Sequence, residues 1–449
     1  MSTQNNSNYR LNRQFYPCSH SQNGASAIIK ILMNQRTVTI DYLGCKLNQA
    51  EVEALSIDFA GAGYRQVPLD EEPRVCVLNS CTVTHVADRK TRQWLRRARR
   101  QNPSALIIVT GCFAERAPLE LKQIDEKVLV LDNQQKMGMV RWLLEHNYLE
   151  SCSSEACISG GLSKTRSFVR IQEGCSNGCA YCIVPLVRND CLSRSPGDVI
   201  GEIQNRISAG HKEIIITGTE IGSYNSGGLR LCGLVKMILD RTQVERLRLS
   251  SLQPYHITGE MLDLWSDGRL CPHFHLSLQS GSDAVLKRMK RHYNREYYTQ
   301  TIQKIRESVP DVAITTDVIV GFPGETQADF EETLDVCRKT GFARIHVFPY
   351  SQRPDTPALE MRPLVDEKEK KRREKEMTGL AEETGRVFRQ RFAGRIMPVL
   401  WESCSGELWT GLTPNYTRVY MPGKDCLADT ITSVRILDLY RDGVKGEPG

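Results

Sequence analysis

Three cysteines in one short run carry the clearest chemistry. Gly174 to Pro185 reads GCSNGCAYCIVP, which places Cys175, Cys179 and Cys182 at i, i+4 and i+7 directly after a strand-like segment. Cubane iron-sulfur clusters ordinarily take four Cys thiolates, so a run of three leaves one iron open to another ligand. An open iron is a place for chemistry. The competing reading is a structural zinc site, but those sites take paired CxxC units or a nearby His, and no second CxxC pair accompanies this run. Three further cysteines, Cys45 in LGCKLNQAE, Cys81 in NSCTVTHVADRK and Cys112 in TGCFAE, each follow a strand-like run. Neighbouring strand ends of a parallel sheet share an edge, so three thiols distant in sequence would meet there. Free cysteine is also among the most often buried residues, and spacing alone leaves simple packing open as a reading.

The elements that would position these thiols are legible. TVTIDYL, RVCVLNS, ALIIVTG and KVLVLD alternate with helix-like stretches, Asn48 to Gly61 and Val86 to Gln101 among them, which predicts an α/β unit with a parallel sheet over 37–150. Small polar residues over 151–166 read as a linker. A second alternation over 167–391 has strands at SFVRIQ, EIIITG, RLRLSS, FHLSLQ, AITTDVIV and RIHVFP. It predicts a partial (β/α)6 barrel with its site at the C-terminal strand ends. Charged residues from Val365 to Arg391 predict a long helix. Short β-rich runs over 392–441 then predict a small antiparallel β-barrel, with 442–449 as a tail.

Composition narrows the class. The 449 residues are 25% charged and 40% hydrophobic with a net charge of +6, which excludes a disordered, collagen-like or coiled-coil protein. Met1 to Ser26 are polar and lack the apolar core of a signal peptide, 1–36 reads as a disordered extension, and no apolar stretch approaches the roughly 20 residues of a membrane span. A cytoplasmic protein is expected, in which sixteen cysteines serve something other than disulfides.

The CxxxCxxC run with an aromatic before its last Cys resembles the signature of radical S-adenosylmethionine enzymes. The order Cys45, Cys81, Cys112, then CSNGCAYC, then a β-rich tail is similar to the methylthiotransferase family from about Thr37 to Leu439. The resemblance implies two 4Fe-4S clusters, one held by Cys175, Cys179 and Cys182, the other by Cys45, Cys81 and Cys112. It also implies S-adenosyl-L-methionine on the open iron of the first, cleaved to a 5′-deoxyadenosyl radical, and no catalytic residue beyond the cluster ligands. The expected S-adenosylmethionine contacts are Gly218, Glu220, Ser277, Gln279 and Asp317, in Gly-rich strand-end words that would otherwise be ordinary βα turns. Within the family, GCKLNQAE resembles the branch acting on threonylcarbamoyladenosine at position 37, beside the tRNA anticodon. Lys46 and Asn48 carry that assignment, since the isopentenyladenosine branch usually has a GCQMN-type word and the ribosomal-protein branch an LGCxKN-type word. The implied partners are tRNA, through its anticodon stem-loop, and a reductant protein such as a flavodoxin or ferredoxin. The alternatives are methylthiotransfer to isopentenyladenosine tRNA or to a ribosomal-protein side chain, and a noncatalytic iron-sulfur RNA-binding protein or redox sensor.

Two positions depart from the family pattern: Asn189 and Asp190 follow Arg188 where Gly is usual after the Arg, and Gln253 stands where Glu is common. Cys18, Cys152, Cys157 and Cys191 match no ligand. Seven cations, Arg89, Lys90, Arg92, Arg96, Arg97, Arg99 and Arg100, share one predicted helix with Trp94 and would track phosphates, unless they form a solvated face. Trp401, Trp409, Tyr416, Arg418, Tyr420 and Lys424 in the tail, a TRAM-like RNA-binding module by the resemblance, would suit stacking on bases or the core of the small barrel.

Overall fold

The computed structural model describes residues 36–150, 165–188 and 191–449. Most of the expected extension and linker, with Cys18, Cys152, Cys157, Asn189 and Asp190, lies outside the described residues. The first unit is a parallel sheet of β1 (Thr37–Tyr42), β2 (Arg65–Gln66), β3 (Val75–Ser80), β4 (Leu106–Gly111) and β5 (Leu129–Val130), in the order β2-β1-β3-β4-β5. Alternate residues of the fully buried β3 enter different cores: Val75 and Val77 pack with Leu55 and Phe59, whereas Cys76 and Leu78 pack with Leu95 and Phe113. A sheet covered on both faces requires that double apolar pattern. On one face lies the helix His85–Gln101, begun by a Thr84 cap that accepts from Ala87 N, with Thr91, Trp94, Leu95 and Ala98 buried at helical spacing.

The central unit is the expected partial barrel, with one interruption. β6 (Arg166–Glu173), β7 (Leu192–Ser193), β8 (Glu213–Gly218) and β11 (Arg246–Leu249) form one sheet in the order β11-β8-β6-β7, and a small hairpin pairs β9 (Asn225–Ser226) with β10 (Leu229–Arg230). β12 (Ser251–Leu252), β13 (His273–Leu276), β14 (Ala313–Val320) and β15 (Arg344–Pro349) form the next sheet in sequence order. The third barrel strand changes partner at Ser250, its first part pairing with β8 and its second with β13. Both parts run parallel to their neighbours, so six barrel strands send their C-terminal ends to one rim.

The helix Glu367–Gln390 leads into a closed barrel of β16 (Ile396–Ser405), β17 (Leu408–Leu412), β18 (Arg418–Pro422), β19 (Ile431–Tyr440) and β20 (Gly443–Pro448). Two expectations are corrected here. Residues 442–449 are not a tail, because β20 occupies them and closes the barrel. The barrel is not wholly antiparallel, since β18 and β20 pair in parallel. Leu439 and Tyr440 turn directly into Gly443 and Val444, so the last strand is the return of a hairpin that the Gly-rich DGVKG segment hides from a strand reading. This barrel docks where the central strands begin: Arg246 donates to the Leu412 and Pro398 carbonyls at 3.0 and 2.9 Å. The opposite rim stays with the cysteines. Among the described residues, no helix is long and apolar enough to cross a membrane.

Candidate functional site

Each of the six family-type cysteines sits at a C-terminal strand end. Cys45 caps the helix Lys46–Gly61 after β1, Cys81 follows β3, and Cys112 begins the helix Cys112–Arg116 after β4. Because β1, β3 and β4 are adjacent in the sheet, the three thiols meet on one edge. Gly44 shows how closely: at φ +97°, an added Cβ would lie 2.6 Å from the Cys81 sulfur. Burial pushes the Cys81 thiol up to about 12, with the neighbouring Cys45 and Cys112 adding to the rise. Cys175, Cys179 and Cys182 occupy the loop after β6, where Gly174 and Gly178 take left-handed conformations. Burial raises Cys175 to about 11 and Cys182 to about 12, and in both cases Cys179 contributes. All six thiols are free.

Among the described residues no group of His, Cys, Asp or Glu could hold a metal ion as the side chains stand. The cysteines of each triad nevertheless interact electrostatically with one another, and an arginine donates to one sulfur of each. Arg188 Nε lies 3.4 Å from Cys112 Sγ, and Arg291 Nη1 lies 3.1 Å from Cys179 Sγ. Thiolates spread by a cubane stand farther apart than the ligands of one ion, and cationic donors offset the negative charge of sulfur. That donor chemistry suits each triad to thiolate ligation, as an iron-sulfur cluster would require.

Beside the second triad, Glu220 is buried and accepts from Asn177 Nδ2 at 2.9 Å and Gln253 Nε2 at 3.0 Å. Burial pushes its carboxyl up to about 7, which those two amides and Arg291 only partly offset. His256 Nδ1 is 3.4 Å from Glu220 Oε1, but burial lowers the imidazole to about 4, so the ring is neutral at pH 7 and supplies no ion pair. Gln253, the family departure, is integrated: its carbonyl accepts from Arg291 Nη2, which links Glu220 to the Cys179 side of the loop. Ser277 and Asp317 bond each other at 3.2 Å, and His275 Nε2 lies 3.1 Å from the same carboxylate oxygen. Gln279 holds φ +63° through a backbone bond from its N–H to the Asp317 carbonyl. Gly218 is packed against the Gln172 carbonyl, 2.7 Å from where a Cβ would fall, so its small size serves the strand contact.

Several site residues escaped the sequence reading. Lys136, Glu173 and Arg291 belong to no spacing motif, and Glu51 and Asn177 lie in the GCKLNQAE and CSNGCAYC words without a signal of their own role. The tertiary fold brings Glu51, Lys136 and Glu173 together at Arg188 and sets Asn177 and Arg291 around Glu220 and Gln253. For Asn177 the one signal is its place between two cysteines of the run. The nucleic-acid candidates divide. In the helix His85–Gln101, Arg92 and Arg99 pair with Glu120 and Asp125 at 2.8 Å and Trp94 is core, its indole donating to Asp41, while Arg89, Lys90, Arg96 and Arg100 are exposed. In the C-terminal barrel Trp401, Trp409 and Tyr420 are buried, and Tyr416 accepts from Arg166 at 3.0 Å and lies tilted against the His273 ring. Trp401 and Trp409 therefore belong to the core of the small barrel.

Two family models match the chain, the radical SAM superfamily over residues 169–337 and uncharacterized protein family UPF0004 over residues 37–132. A threonylcarbamoyladenosine tRNA methylthiotransferase MtaB of Bacillus subtilis is 34% identical over 422 residues, 89% of this chain and 94% of its own. A tRNA-2-methylthio-N(6)-dimethylallyladenosine synthase of Endomicrobium trichonymphae is 32% identical over 389 residues, 86% of this chain and 93% of its own. Among solved structures, the radical S-adenosylmethionine methyltransferase TsrM of Kitasatospora setae, with cobalamin and a 4Fe-4S cluster bound, aligns at TM-score 0.53. It is 14% identical and covers 72% of this chain and 77% of that one, a likeness of fold.

Proposed function

Because the chain belongs to the radical S-adenosylmethionine tRNA methylthiotransferases, we propose that it converts threonylcarbamoyladenosine at tRNA position 37 to its 2-methylthio form. Membership of the radical SAM family implies a 4Fe-4S cluster and S-adenosylmethionine, and we assign that cluster to Cys175, Cys179 and Cys182. We assign a second, sulfur-bearing cluster to Cys45, Cys81 and Cys112. When bound, the first cluster and S-adenosylmethionine supply a radical able to take a hydrogen from an aromatic carbon whose C–H no base can deprotonate. The chain's own residues orient and enclose. Arg291 holds Cys179, Asn177 and Gln253 hold the Glu220 carboxylate, and Ser277 and His275 hold Asp317, which leaves Glu220, Gln279 and Asp317 to meet the polar groups of S-adenosylmethionine.

One observation carries the two-cluster reading: Cys112 of the first triad packs directly against Ile183 and Val187, next to Cys182 of the second. A substrate that must reach both groups needs them close and fixed in register. In this assignment residues 37–150 hold the sulfur-bearing cluster, 167–391 generate the radical, and the exposed cations of the helix His85–Gln101, together with the C-terminal barrel, meet the anticodon stem-loop. A flavodoxin- or ferredoxin-type protein supplies electrons, and the reaction runs in the cytoplasm with its tRNA.

The test uses anaerobically reconstituted protein with dithionite, sulfide and S-adenosylmethionine on tRNAs carrying threonylcarbamoyladenosine or isopentenyladenosine, read by nucleoside mass spectrometry. Methylthio product on the first alone is expected. Product on the second alone would discard the substrate, and failure of both with deoxyadenosine still formed would turn the search to protein substrates. Cys179→Ala should abolish deoxyadenosine formation, whereas Cys112→Ala should keep it and lose sulfur insertion. Deoxyadenosine from the Cys179 variant would refute the ligand assignment.

A further inference from the structure

Arg188 lies six residues beyond Cys182, at the end of the helix Val184–Val187, yet its guanidinium faces the other cysteine triad. Nε donates to Cys112 Sγ at 3.4 Å. Nη1 donates to Glu51 at 2.8 Å and Glu173 at 2.7 Å, and Nη2 donates to Asn48 at 2.8 Å and Glu51 at 3.1 Å. Asn48 Oδ1 also accepts from Cys45 Sγ at 3.7 Å. The arginine side chain is 2% exposed, and Glu51 is further held by Lys136 and Asn79, each at 2.8 Å. Four bonds to carboxylates and an amide therefore fix the guanidinium whether or not the sulfur needs it. The plane of the fork leaves Nε aimed at Cys112.

We propose that Arg188 is a positioning residue that sets the register of the two cysteine triads and donates an N–H···S bond to the Cys112 thiolate, raising the reduction potential of the cluster held there. The physics is one of charge: reduction adds an electron that delocalises on to the sulfurs, and a fixed cationic donor stabilises the more negative state. The register part rests on the Cys112, Ile183 and Val187 contact, with Arg188 closing the same seam by its bonds to Glu51. This inference depends on the reading that Cys45, Cys81 and Cys112 hold a cluster.

A second buried arginine supplies the control. Arg353, in the loop after β15, crosses from the central unit to Asp88 at 2.7 Å and Thr82 at 3.1 Å, without a bond to any cysteine. Loss of Arg353 loosens the docking of the units and leaves the sulfur hydrogen bonds alone.

The experiment takes the holoprotein, in which both clusters give about eight irons per chain, and compares it with Arg188→Gln, Arg188→Lys and Arg353→Gln. Midpoints of both clusters are read by potentiometric titration with paramagnetic resonance detection. Pulsed resonance on protein grown with 15N-arginine looks for guanidinium nitrogen coupled to the cluster that remains when Cys175, Cys179 and Cys182 are replaced by Ala. The coupling should be present with Arg188 and absent in Arg188→Gln. The midpoint of that cluster should fall in Arg188→Gln, recover only in part in Arg188→Lys, and hold in Arg353→Gln, while the other cluster's midpoint stays put throughout. No 15N coupling in the protein with native Arg188, or an equal shift in Arg353→Gln, overturns the proposal, and the coupling decides it even where Arg188→Gln fails to fold. A native chain that takes up only about four irons refutes the two-cluster reading and this inference with it, whereas about eight irons without coupling refutes this inference alone.

Discussion

Replacing Glu220 by Gln should make the protein more stable relative to the native chain as pH rises from 4.5 through about 7, with nearly the whole effect present at neutral pH. The carboxyl is 5% exposed, and burial raises it from an ordinary 4.5 to about 7. A group whose folded value is raised contributes stability that is full below the unfolded value and is lost as pH rises through the folded one. Each unit is 1.36 kcal/mol, so relative to a side chain that does not titrate, the native protein should lose about 3 kcal/mol between pH 4.5 and 8.5. Gln is the appropriate comparison. Its carbonyl can take the bonds now made by Asn177 and Gln253 to Oε2, and its amide would face the neutral His256 Nδ1 that lies 3.4 Å from Oε1. Urea unfolding of cluster-free protein, native and Glu220→Gln, at pH 5 and pH 8.5 measures the effect as a change in the difference between the two proteins. A change of about 2–3 kcal/mol in favour of Glu220→Gln at the higher pH is expected. A difference that is the same at both pH values, to within about 0.5 kcal/mol, would show that the carboxyl is not held protonated by burial. The native carboxyl also makes a ligand prediction: if a cationic amino group docks there, S-adenosylmethionine binding to the holoprotein at pH 6 should release most of a proton, measurable calorimetrically in buffers of different ionisation enthalpy.

Glu51→Gln removes the carboxylate that Arg188 and Lys136 share with no solvent access, and should cost about 3–5 kcal/mol in the first unit's urea transition. Glu51→Met with Arg188→Met and Lys136→Met together should recover most of that loss, because no charge is left unpaired. Gly44→Ala should halve the iron content of reconstituted protein while sparing deoxyadenosine formation, since the new methyl would fall 2.6 Å from the Cys81 sulfur at a backbone angle that L residues avoid. Equal iron in native and variant protein would remove Cys81 from the ligand set. Arg89→Gln with Arg96→Gln and Arg100→Gln should weaken tRNA binding at low salt and flatten the slope of log K against log salt by about 2–3. Arg92→Gln with Arg99→Gln, whose guanidinia already pair with acids, should change the slope much less.

How much of this was legible follows from the range over which each signal acts. β3 is buried along its length, and VCVL states the apolar part directly, whereas Asn79 and Ser80 are buried through bonds to Glu51 and the Thr110 carbonyl; the helix His85–Gln101 needs an apolar stripe at helical spacing and has one. The CxxxCxxC run is local, so both its geometry and its open-iron implication can be read without a fold. β20 was missed because GVKGEP is poor in β-forming residues and is held as a strand by closure of the barrel. The aromatics of the C-terminal barrel could be read in either of two ways, and for Trp401 and Trp409 burial decided for packing: Trp401 is fully enclosed, a fact that residue type does not contain.

By itself the sequence determined which chemistry is possible, because thiol spacing, strand-end glycines and strand-helix alternation are properties of adjacent residues. Tertiary structure alone decided what those groups meet. Glu51, Arg188 and Lys136 are separated by scores of residues, yet they form one buried ionic knot beside Cys112, because a helix from the first unit lies along the first strand of the second. Gln253 looked like a loss of charge and instead bridges Glu220 to Arg291. Desolvation and pairing depend on every atom within a few ångströms, so the electrostatics of a site emerges only when the chain has closed around it.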